Sequence, residues 1–467
     1  MVLDASRLAT RACRIASAIT VGVAAAFVLY WGLATIRVRP TMAGETEVLF
    51  EAARMRAGLA LYVDPIAGAH DYGALPARYL VTYPPLWSWI VSHVPTGDAA
   101  LLFARGANTL AWLGSLSLLV AQARSRRTAA LAAAAFFVAS FNVALFADSG
   151  RPDSIAILLA TIALSRVLRD ARVDAASGAL FALAAWTKPT VIGLAAGALV
   201  AAAFSPRGAR AGLAGAAAVS LGVVALLERA GGHAWFTHLV ASNLQPLSLA
   251  AWLDAMQHDA FFFVGPVVYA AAIGWRARRD AGVAMGLAAL AGAFAWALFS
   301  RAKTGSSTNY WMESAIGVVA LCAQAPPLAA RPALAAMALA QSLWMGIASV
   351  KSATYRVAAD PRIGALLDQT RSLCGARDTD FVMSDDAGTE LRIDGRIYTT
   401  AYQMTFLAFA GKFPLGPWVD DIERPEVTCF VEHTGIMRFL PDLDRALRAR
   451  FEPVASTDDW TVFRARR

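Results

Sequence analysis

The stretch AASGALFALAAWTKPTVIGLAAGALVAAAF, residues 175–204, decides the class of fold. Its only charged side chain is Lys188, and most of the remainder is Ala, Leu, Val and Gly. About 20 apolar residues in a row are enough to cross a bilayer as a helix. Because Pro189 removes a backbone donor and disfavours helix at the residue before it, we predict two helices, 175–187 and 189–204.

The whole chain shares the composition of this stretch. Of its 467 residues, 57% are apolar and 16% are charged, against about 25% charged in an ordinary soluble domain. This excludes a disordered protein, a collagen-like chain and a disulfide scaffold, and it argues against a soluble enzyme. We expect an α-helical polytopic membrane protein with about 11 transmembrane helices. The apolar runs lie at 15–36, 98–123, 128–147, 152–169, 175–187, 189–204, 211–228, 261–275, 281–300, 313–325 and 332–350.

The cations set the expected orientation. A net charge of +8 would suggest a nucleic-acid partner for a soluble protein, but here the cations cluster in short loops between apolar runs, so no nucleic acid is expected. With those clusters inside, the N-terminus is cytoplasmic as an uncleaved anchor, and the loops 37–97, 229–260 and 301–312 lie outside. The clustered cations are Arg7, Arg11, Arg14, Arg124, Arg126, Arg127, Arg169, Arg172, Arg207, Arg210, Arg276, Arg278 and Arg279.

Two domains are predicted. Residues 1–350 form the transmembrane domain, and residues 351–467, which lack long apolar runs, form a small α/β domain on the outer side. The first outer loop, 37–97, is too long to be a plain connection. Within it, 45–57 has the spacing of an amphipathic surface helix, and the Trp-rich segment 84–95 predicts a second interfacial helix.

The C-terminal region mixes short strand and helix patterns. It also contains Cys374 and Cys429, for which a disulfide and two unpaired thiols both remain open. We predict strands at Phe381–Met383, Thr428–Val431 and Trp460–Phe463, and helices near 402–411 and 440–449.

Four groups of polar residues fall at outer membrane edges, where charge is costly and usually functional. Carboxylates and cations on one face suit a reaction in which an acceptor hydroxyl is deprotonated while a phosphate leaves. The groups are Glu45, Glu47 and Glu51; Arg151 and Asp153; Lys188; and Lys303, Asn309, Tyr310 and Glu313.

Each group also has a structural alternative. The three glutamates of the first group could form the solvated face of the surface helix. Arg151 and Asp153 could mark only the start of a helix, and Lys188 could extend to the interface. Asn309 and Tyr310 could be ordinary interfacial residues. The shared side of the membrane is the stronger argument for a common site.

The sequence gives little indication of a metal site or of a nucleotide-binding site. The six histidines form no HxxxH pair, and His233 and His238 are expected to be satisfied surface residues. We expect no cofactor, with an assisting divalent cation on the outer face as the alternative. No Walker-type or Rossmann motif is present, which disfavours a nucleotide-driven pump.

Four motifs resemble the bacterial GT-C glycosyltransferases of the family-39-like group, which includes the lipid A aminoarabinose transferase, protein O-mannosyltransferases and rhizobial galacturonosyltransferases. GETEVLFEAARMRAGLALY, 44–62, resembles the first-loop acidic motif, and TYPPLWSWI, 82–90, its Pro-Pro interfacial helix. SGRPDSIAILLA, 149–160, resembles the second acidic motif, and ALAAWTKPTVIGL, 182–194, the helix ending in Thr-Lys. The resemblance covers about 37–205 well and the later spans loosely.

The resemblance implies an inverting transferase of the bacterial inner membrane. Its donor is a sugar linked to polyprenyl phosphate, and its acceptor is a lipid, glycan or protein hydroxyl at the periplasmic face. Glu45 would be the general base, with Asp153 as the second acid and Glu47 as the other candidate. Donor-binding residues would be Arg151 and Lys188 at the phosphate, with Tyr83, Lys303, Asn309 and Tyr310 lining the cleft.

The chain departs from the family at two positions. Gly44 stands where many relatives have Asp, so Glu45 or Glu47 must serve instead. Tyr83 stands where aminoarabinose-type enzymes have Lys, which changes the expected phosphate contacts. A transporter or flippase of a lipid-linked sugar is the main alternative, since a helix broken at Lys188 would suit it. A non-catalytic assembly protein is a third.

Overall fold

The computed structural model describes most of the chain outside its N-terminal part. The predicted span 15–36 and most of 128–147 lie outside the described residues, as do the N-terminal cations and Arg126, Arg127 and Arg207. The described ranges are 43–71, 75–125, 146–205, 208–257, 261–303, 306–325, 332–457 and 459–466, with isolated positions between them.

Helices account for the described part of the predicted transmembrane domain. The break predicted at Lys188–Pro189 is confirmed, because one helix ends at Thr187 and the next begins at Gly193. The helices are α1 Ala43–Arg56, α2 Leu86–Ser92, α3 Asp98–Ala121, α4 Asp153–Asp170, α5 Ala175–Thr187, α6 Gly193–Ala203, α7 Arg210–Gly231, α8 Ala234–Leu239, α9 Leu249–Ala255, α10 Phe261–Arg276, α11 Ala281–Arg301, α12 Met312–Gln324 and α13 Pro332–Cys374.

Two of these helices, α7 and α11, are long and apolar enough to cross a membrane, among the residues that the structure describes. The predicted number of 11 spans is therefore not confirmed. One reason is length: α6 has 11 residues and α12 has 13, whereas a span needs about 20. Small residues let these helices pack closely, and Gly197 of α6 lies directly against the backbone of Ala288 in α11.

The two helices of the first outer loop form where they were predicted. They are α1 and α2, and α1 packs along α2. The position of α1 differs from the prediction of a helix with one solvated face. Its polar side chains Glu45, Glu47 and Glu51 are only 1–2% exposed, so the alternative of a solvated acidic face is wrong.

After α13 the chain forms a small α/β unit. Its sheet has the order β1-β2-β4-β3, with β1 parallel to β2 and the other neighbours antiparallel. The predicted strands and helices are confirmed, while α14, α16 and β3 had not been predicted. The elements are β1 Phe381–Ser384, α14 Ala387–Asp394, α15 Ala401–Phe409, α16 Gly416–Glu423, β2 Val427–Glu432, α17 Pro441–Arg450, β3 Phe451–Thr457 and β4 Trp460–Ala465.

The predicted domain boundary at 351 falls inside a helix. The helix α13 runs without a break from Pro332 to Cys374, so the α/β unit begins after Cys374. The sequence lost its apolar character at 351, but helical structure does not require apolar residues once one end is anchored. A disulfide between Cys374 and Cys429 joins the end of α13 to β2, which answers the question that the sequence left open.

The α/β unit is attached to the first outer loop through Arg78. The Arg78 guanidinium forms a buried ion pair with Asp421, with Nε 2.5 Å from Oδ2. The Arg78 backbone N–H donates to the Tyr398 carbonyl at 2.7 Å, and the Leu80 N–H donates to Thr400 Oγ1 at 3.0 Å. This attachment brings α15 beside α1 and the loop that follows it.

Candidate active site

A cavity of about 310 Å³ lies between the first outer loop, the ends of several apolar helices and α15. All six residues that the sequence predicted to bind substrate line this one cavity, although they come from four separate segments of the chain. They are Tyr83, Arg151, Lys188, Lys303, Asn309 and Tyr310.

Arg151, Lys188 and Asn309 line one side of the cavity, and together with Asp153 behind them we call them the cation wall. Asp153 is buried and accepts from all three partners. Arg151 Nε lies 3.1 Å from Oδ2, Asn309 Nδ2 lies 3.1 Å from Oδ1, and Lys188 Nζ pairs with Oδ1. Asp153 also begins α4 after Pro152, so it both starts the helix and holds the two cations. Lys188 is 2% exposed and does not extend to the interface.

Tyr83 covers this wall. Its ring centroid lies 5.1 Å from Lys188 Nζ and 5.7 Å from Arg151 Cζ, distances at which the face of an aromatic ring attracts a cation. Gly44 lies beside both groups, because a Cβ at this position would be 2.9 Å from the Tyr83 hydroxyl and 3.2 Å from Arg151 Nε. An Asp side chain at this position would therefore meet Tyr83 and Arg151.

Glu45 lies in a buried ion pair. Its two carboxylate oxygens accept from Arg105 Nε at 2.6 Å and Nη2 at 2.7 Å, and Oε1 also accepts from the Gly150 N–H at 2.6 Å. Such a bidentate pair fixes α1 to α3 and to the segment before α4. Glu45 is not among the residues that line the cavity.

Glu47 is held differently, by two neutral groups. Thr82 Oγ1 donates to Oε2 at 2.9 Å, and Gln403 Nε2 donates to Oε1. Both donors line the cavity, whereas Glu47 lies behind them and is not itself a lining residue; we call the three residues the carboxylate wall. Burial raises the pKa of Glu47 to about 7, against the lowering effects of the two hydrogen bonds and of the Arg151 charge.

The remaining predicted acids have structural partners. Glu51 accepts from Ser88 of α2. Glu313 accepts from the N–H groups of Gly193 and Leu194 at 2.9 Å each, and so it caps the first turn of α6. Neither carboxylate lines the cavity.

The segment 229–260 closes another side of the cavity through Ser242, Asn243 and Gln245. Lys303 Nζ donates to Asn243 Oδ1 at 3.3 Å, and burial, with a smaller effect of the Lys412 charge, lowers the pKa of Lys303 to about 8. His238 is buried, with Nδ1 accepting from the Val81 N–H at 2.9 Å and Nε2 lying 2.6 Å from the Val63 carbonyl. The prediction of a surface residue is wrong for His238, which instead supports the first loop.

The sequence missed every contribution of the α/β unit. Tyr402, Gln403 and Phe406 of α15 line the cavity, yet Gln403 and Glu47 are 356 positions apart in the chain. The helix that contains Tyr402, Gln403 and Phe406 was predicted, but no local pattern indicated which of its faces contacts the first loop. Within the described ranges, no three His, Cys, Asp or Glu side chains form a group that could hold a metal ion.

Comparison with models of known families gives no match, and comparison with curated protein sequences gives none either. Among solved structures, ArnT from Cupriavidus metallidurans bound to undecaprenyl phosphate is similar, with a TM-score of 0.61, 13% identity, and coverage of 96% of this chain and 97% of that one. The apo state of the same protein gives a TM-score of 0.61, 13% identity, and coverage of 97% and 98%.

A looser similarity is to the oligosaccharyltransferase AglB from Archaeoglobus fulgidus, with a TM-score of 0.49, 12% identity, and coverage of 95% of this chain and 74% of that one. The likeness to ArnT extends over nearly the whole of both chains. At this low identity it concerns the fold and not the chemistry. This chain therefore shares the fold of ArnT, which is a GT-C fold.

Proposed function

We propose that the protein is a membrane glycosyltransferase that takes a sugar from a polyprenyl-phosphate donor and transfers it, with inversion, to a hydroxyl of a lipid, glycan or protein acceptor. The observation that carries this proposal is the cavity itself. It is lined on one side by Arg151 and Lys188 and on another by Thr82 and Gln403, and these two neutral donors hold the buried Glu47 carboxylate, which forms no direct ion pair with the residues that the structure describes. The similarity to ArnT, solved with undecaprenyl phosphate, supports the same donor class.

The cation wall suits the leaving group. Arg151 and Lys188 both line the cavity, and both are oriented by Asp153. When the bond between the sugar C1 and the phosphate oxygen breaks, the electron pair remains on that oxygen. Two cations held in place by Asp153 stabilise this developing charge without first having to reorganise.

For the general base we propose Glu47 in place of Glu45. Glu45 is engaged by a guanidinium on both oxygens, which stabilises its ionised form and weakens it as a base. Glu47 is held by neutral donors, and its pKa of about 7 suits proton transfer near neutral pH. Glu47 also lies one helical turn after Gly44, the position of the Asp in many relatives, so it belongs to the same face of α1.

The proposed step then balances. Glu47 takes the proton of the acceptor hydroxyl, and the hydroxyl oxygen forms the new bond to C1 from the side opposite the phosphate. Polyprenyl phosphate leaves against Arg151 and Lys188 with the electron pair of the broken bond. Lys303, Asn309, Tyr310 and Tyr83 shape the pocket for the donor, and Asp153 positions the two cations.

The membrane location and topology of the protein are also part of this proposal. We propose a multi-pass protein of the bacterial inner membrane, with about 11 spans, a cytoplasmic N-terminus and the α/β unit in the periplasm. The disulfide between Cys374 and Cys429 supports this side for the α/β unit, since disulfides persist in oxidising compartments.

Mass spectrometry of envelope lipids and glycans tests the proposal in cells. Strains would carry no gene, the wild-type gene, or Glu47→Gln. We expect a mass increment of one sugar residue that is lost without the gene, restored by the wild type and not by the variant. If Glu47→Gln restores the increment fully, Glu47 is not the base, and the protein either uses another base such as Glu45 or only transports the donor.

A further inference from the structure

The carboxylate wall contains one residue of the α/β unit. We infer that Gln403, which lines the cavity, is a positioning residue that orients the Glu47 carboxylate directly behind the lining, so that the C-terminal unit is an integral part of the active site. This inference rests on the proposed function for its catalytic meaning. The contact itself, between α15 and α1, can be tested without it.

The geometry at Glu47 leaves little freedom. Each of its oxygens accepts one hydrogen bond, from Thr82 on one side and from Gln403 on the other. Because a carboxylate can only accept, the amide nitrogen of Gln403 must face it. Glu47 is 2% exposed, so water cannot replace a lost partner freely.

Four other charged or titratable groups act on Glu47. The positive charge of Arg151 favours its ionised form. Glu51, one turn along α1, and the side chains of Tyr83 and Tyr402 interact with it electrostatically. Among these neighbours Gln403 supplies a neutral donor, which stabilises the carboxylate and leaves it free of an ion pair. Loss of that donor should therefore raise the pKa of Glu47 further.

The position of Gln403 is set by contacts other than its own. The buried Glu390 accepts from the N–H groups of Tyr398 at 2.7 Å and Thr399 at 3.1 Å, just before α15 begins. The segment is then joined to Arg78 and Leu80 of the first loop, as described above. Replacing the side chain of Gln403 should thus remove one hydrogen bond without detaching the α/β unit.

The test compares Gln403→Leu with Thr405→Val in the purified full-length protein. Thr405 is buried on the same helix and does not line the cavity, and its exchange for Val keeps the shape of the side chain. The probe is dicyclohexylcarbodiimide, which modifies protonated buried carboxyl groups, and fragmentation mass spectrometry locates the modified residue. The pH at which half of Glu47 is modified is measured for each protein.

We expect half-modification near pH 7 in the wild type and in Thr405→Val, and about one unit higher in Gln403→Leu. The acidic limb of the transfer rate should move by the same amount. An unchanged midpoint in Gln403→Leu overturns the inference, whether or not the protein transfers sugar. If the midpoint shifts in Gln403→Leu but the wild-type protein transfers no sugar, the contact is supported and the proposed function is overturned. If Gln403→Leu does not fold, Gln403→Met provides the same comparison.

Discussion

The cation wall and the carboxylate wall differ in the groups that surround their charged side chains. In the cation wall, Asp153 touches Arg151, Lys188 and Asn309, so one carboxylate offsets part of the charge of two cations and leaves a net positive charge before any ligand arrives. In the carboxylate wall, the donors to Glu47 among the residues that the structure describes are the neutral groups of Thr82 and Gln403. A group that must receive a phosphate benefits from fixed positive charge, whereas a group that must accept a proton benefits from the absence of a direct counter-ion.

The largest effect is expected for Glu47→Gln. The amide oxygen still accepts from Thr82, so the fold should remain, but the proton acceptor is lost. General-base catalysis contributes about 10²–10⁴-fold, and we expect kcat to fall by that factor. Initial transfer rates, with the unfolding temperature measured alongside, check this. Activity within tenfold of the wild type would remove Glu47 from the mechanism.

Acid pH should have the next largest effect. Because burial raises the pKa of Glu47 to about 7, the carboxyl is ionised above this pH and protonated below it. The transfer rate should be level above pH 7 and fall about tenfold for each unit below, which gives about a hundredfold loss at pH 5. A rate profile with its acidic limb near 4, the ordinary range of a carboxyl, would contradict the assignment.

Lys188→Met should act on donor affinity rather than on the proton transfer. A charge-assisted hydrogen bond is worth about 1.5–3 kcal/mol, so we expect binding of undecaprenyl phosphate to weaken by about 10–100-fold. Lys188→Arg keeps the charge and is the matched control. Glu47→Gln should leave the affinity for undecaprenyl phosphate nearly unchanged. Equal losses of this affinity in Lys188→Met and Glu47→Gln would mean that the two walls do not have separate functions.

Glu45→Gln should have the smallest effect on transfer and the largest on stability. Breaking its buried ion pair with Arg105 is expected to cost about 3–5 kcal/mol of unfolding free energy. The folded fraction should still transfer sugar within a few-fold of the wild type. Thermal unfolding and rates normalised to folded protein separate the two effects, and a stable but inactive variant would restore Glu45 as the base.

The local features of the backbone could be predicted from the sequence. The break at Lys188–Pro189 and the helix start at Asp153 are backbone preferences, which short stretches encode. The partner of Glu45 had a signal that was overlooked: Arg105 stands inside the apolar run 98–123, and a charge in such a run needs a partner.

Long-range contacts could not be predicted in this way. The approach of Gln403 to Glu47 depends on how α15 docks against the first loop, and that docking depends on Arg78, Asp421 and Glu390 together. None of these residues belongs to a motif. Likewise, the sequence allowed the three carboxylates of α1 to form a solvated helix face, although they are buried. Periodicity shows which residues share a face of a helix, but it does not show what packs against that face.

The most direct test of the central claim uses purified wild type, Glu47→Gln and Glu45→Gln with a lipid extract from cells that lack the gene, which supplies accumulated donor and acceptor. Mass spectrometry follows the appearance of the glycosylated product with time. We expect product from the wild type and from folded Glu45→Gln, and about 1% of the wild-type rate or less from Glu47→Gln. Product from Glu47→Gln at the wild-type rate, with folded Glu45→Gln inactive, would contradict it.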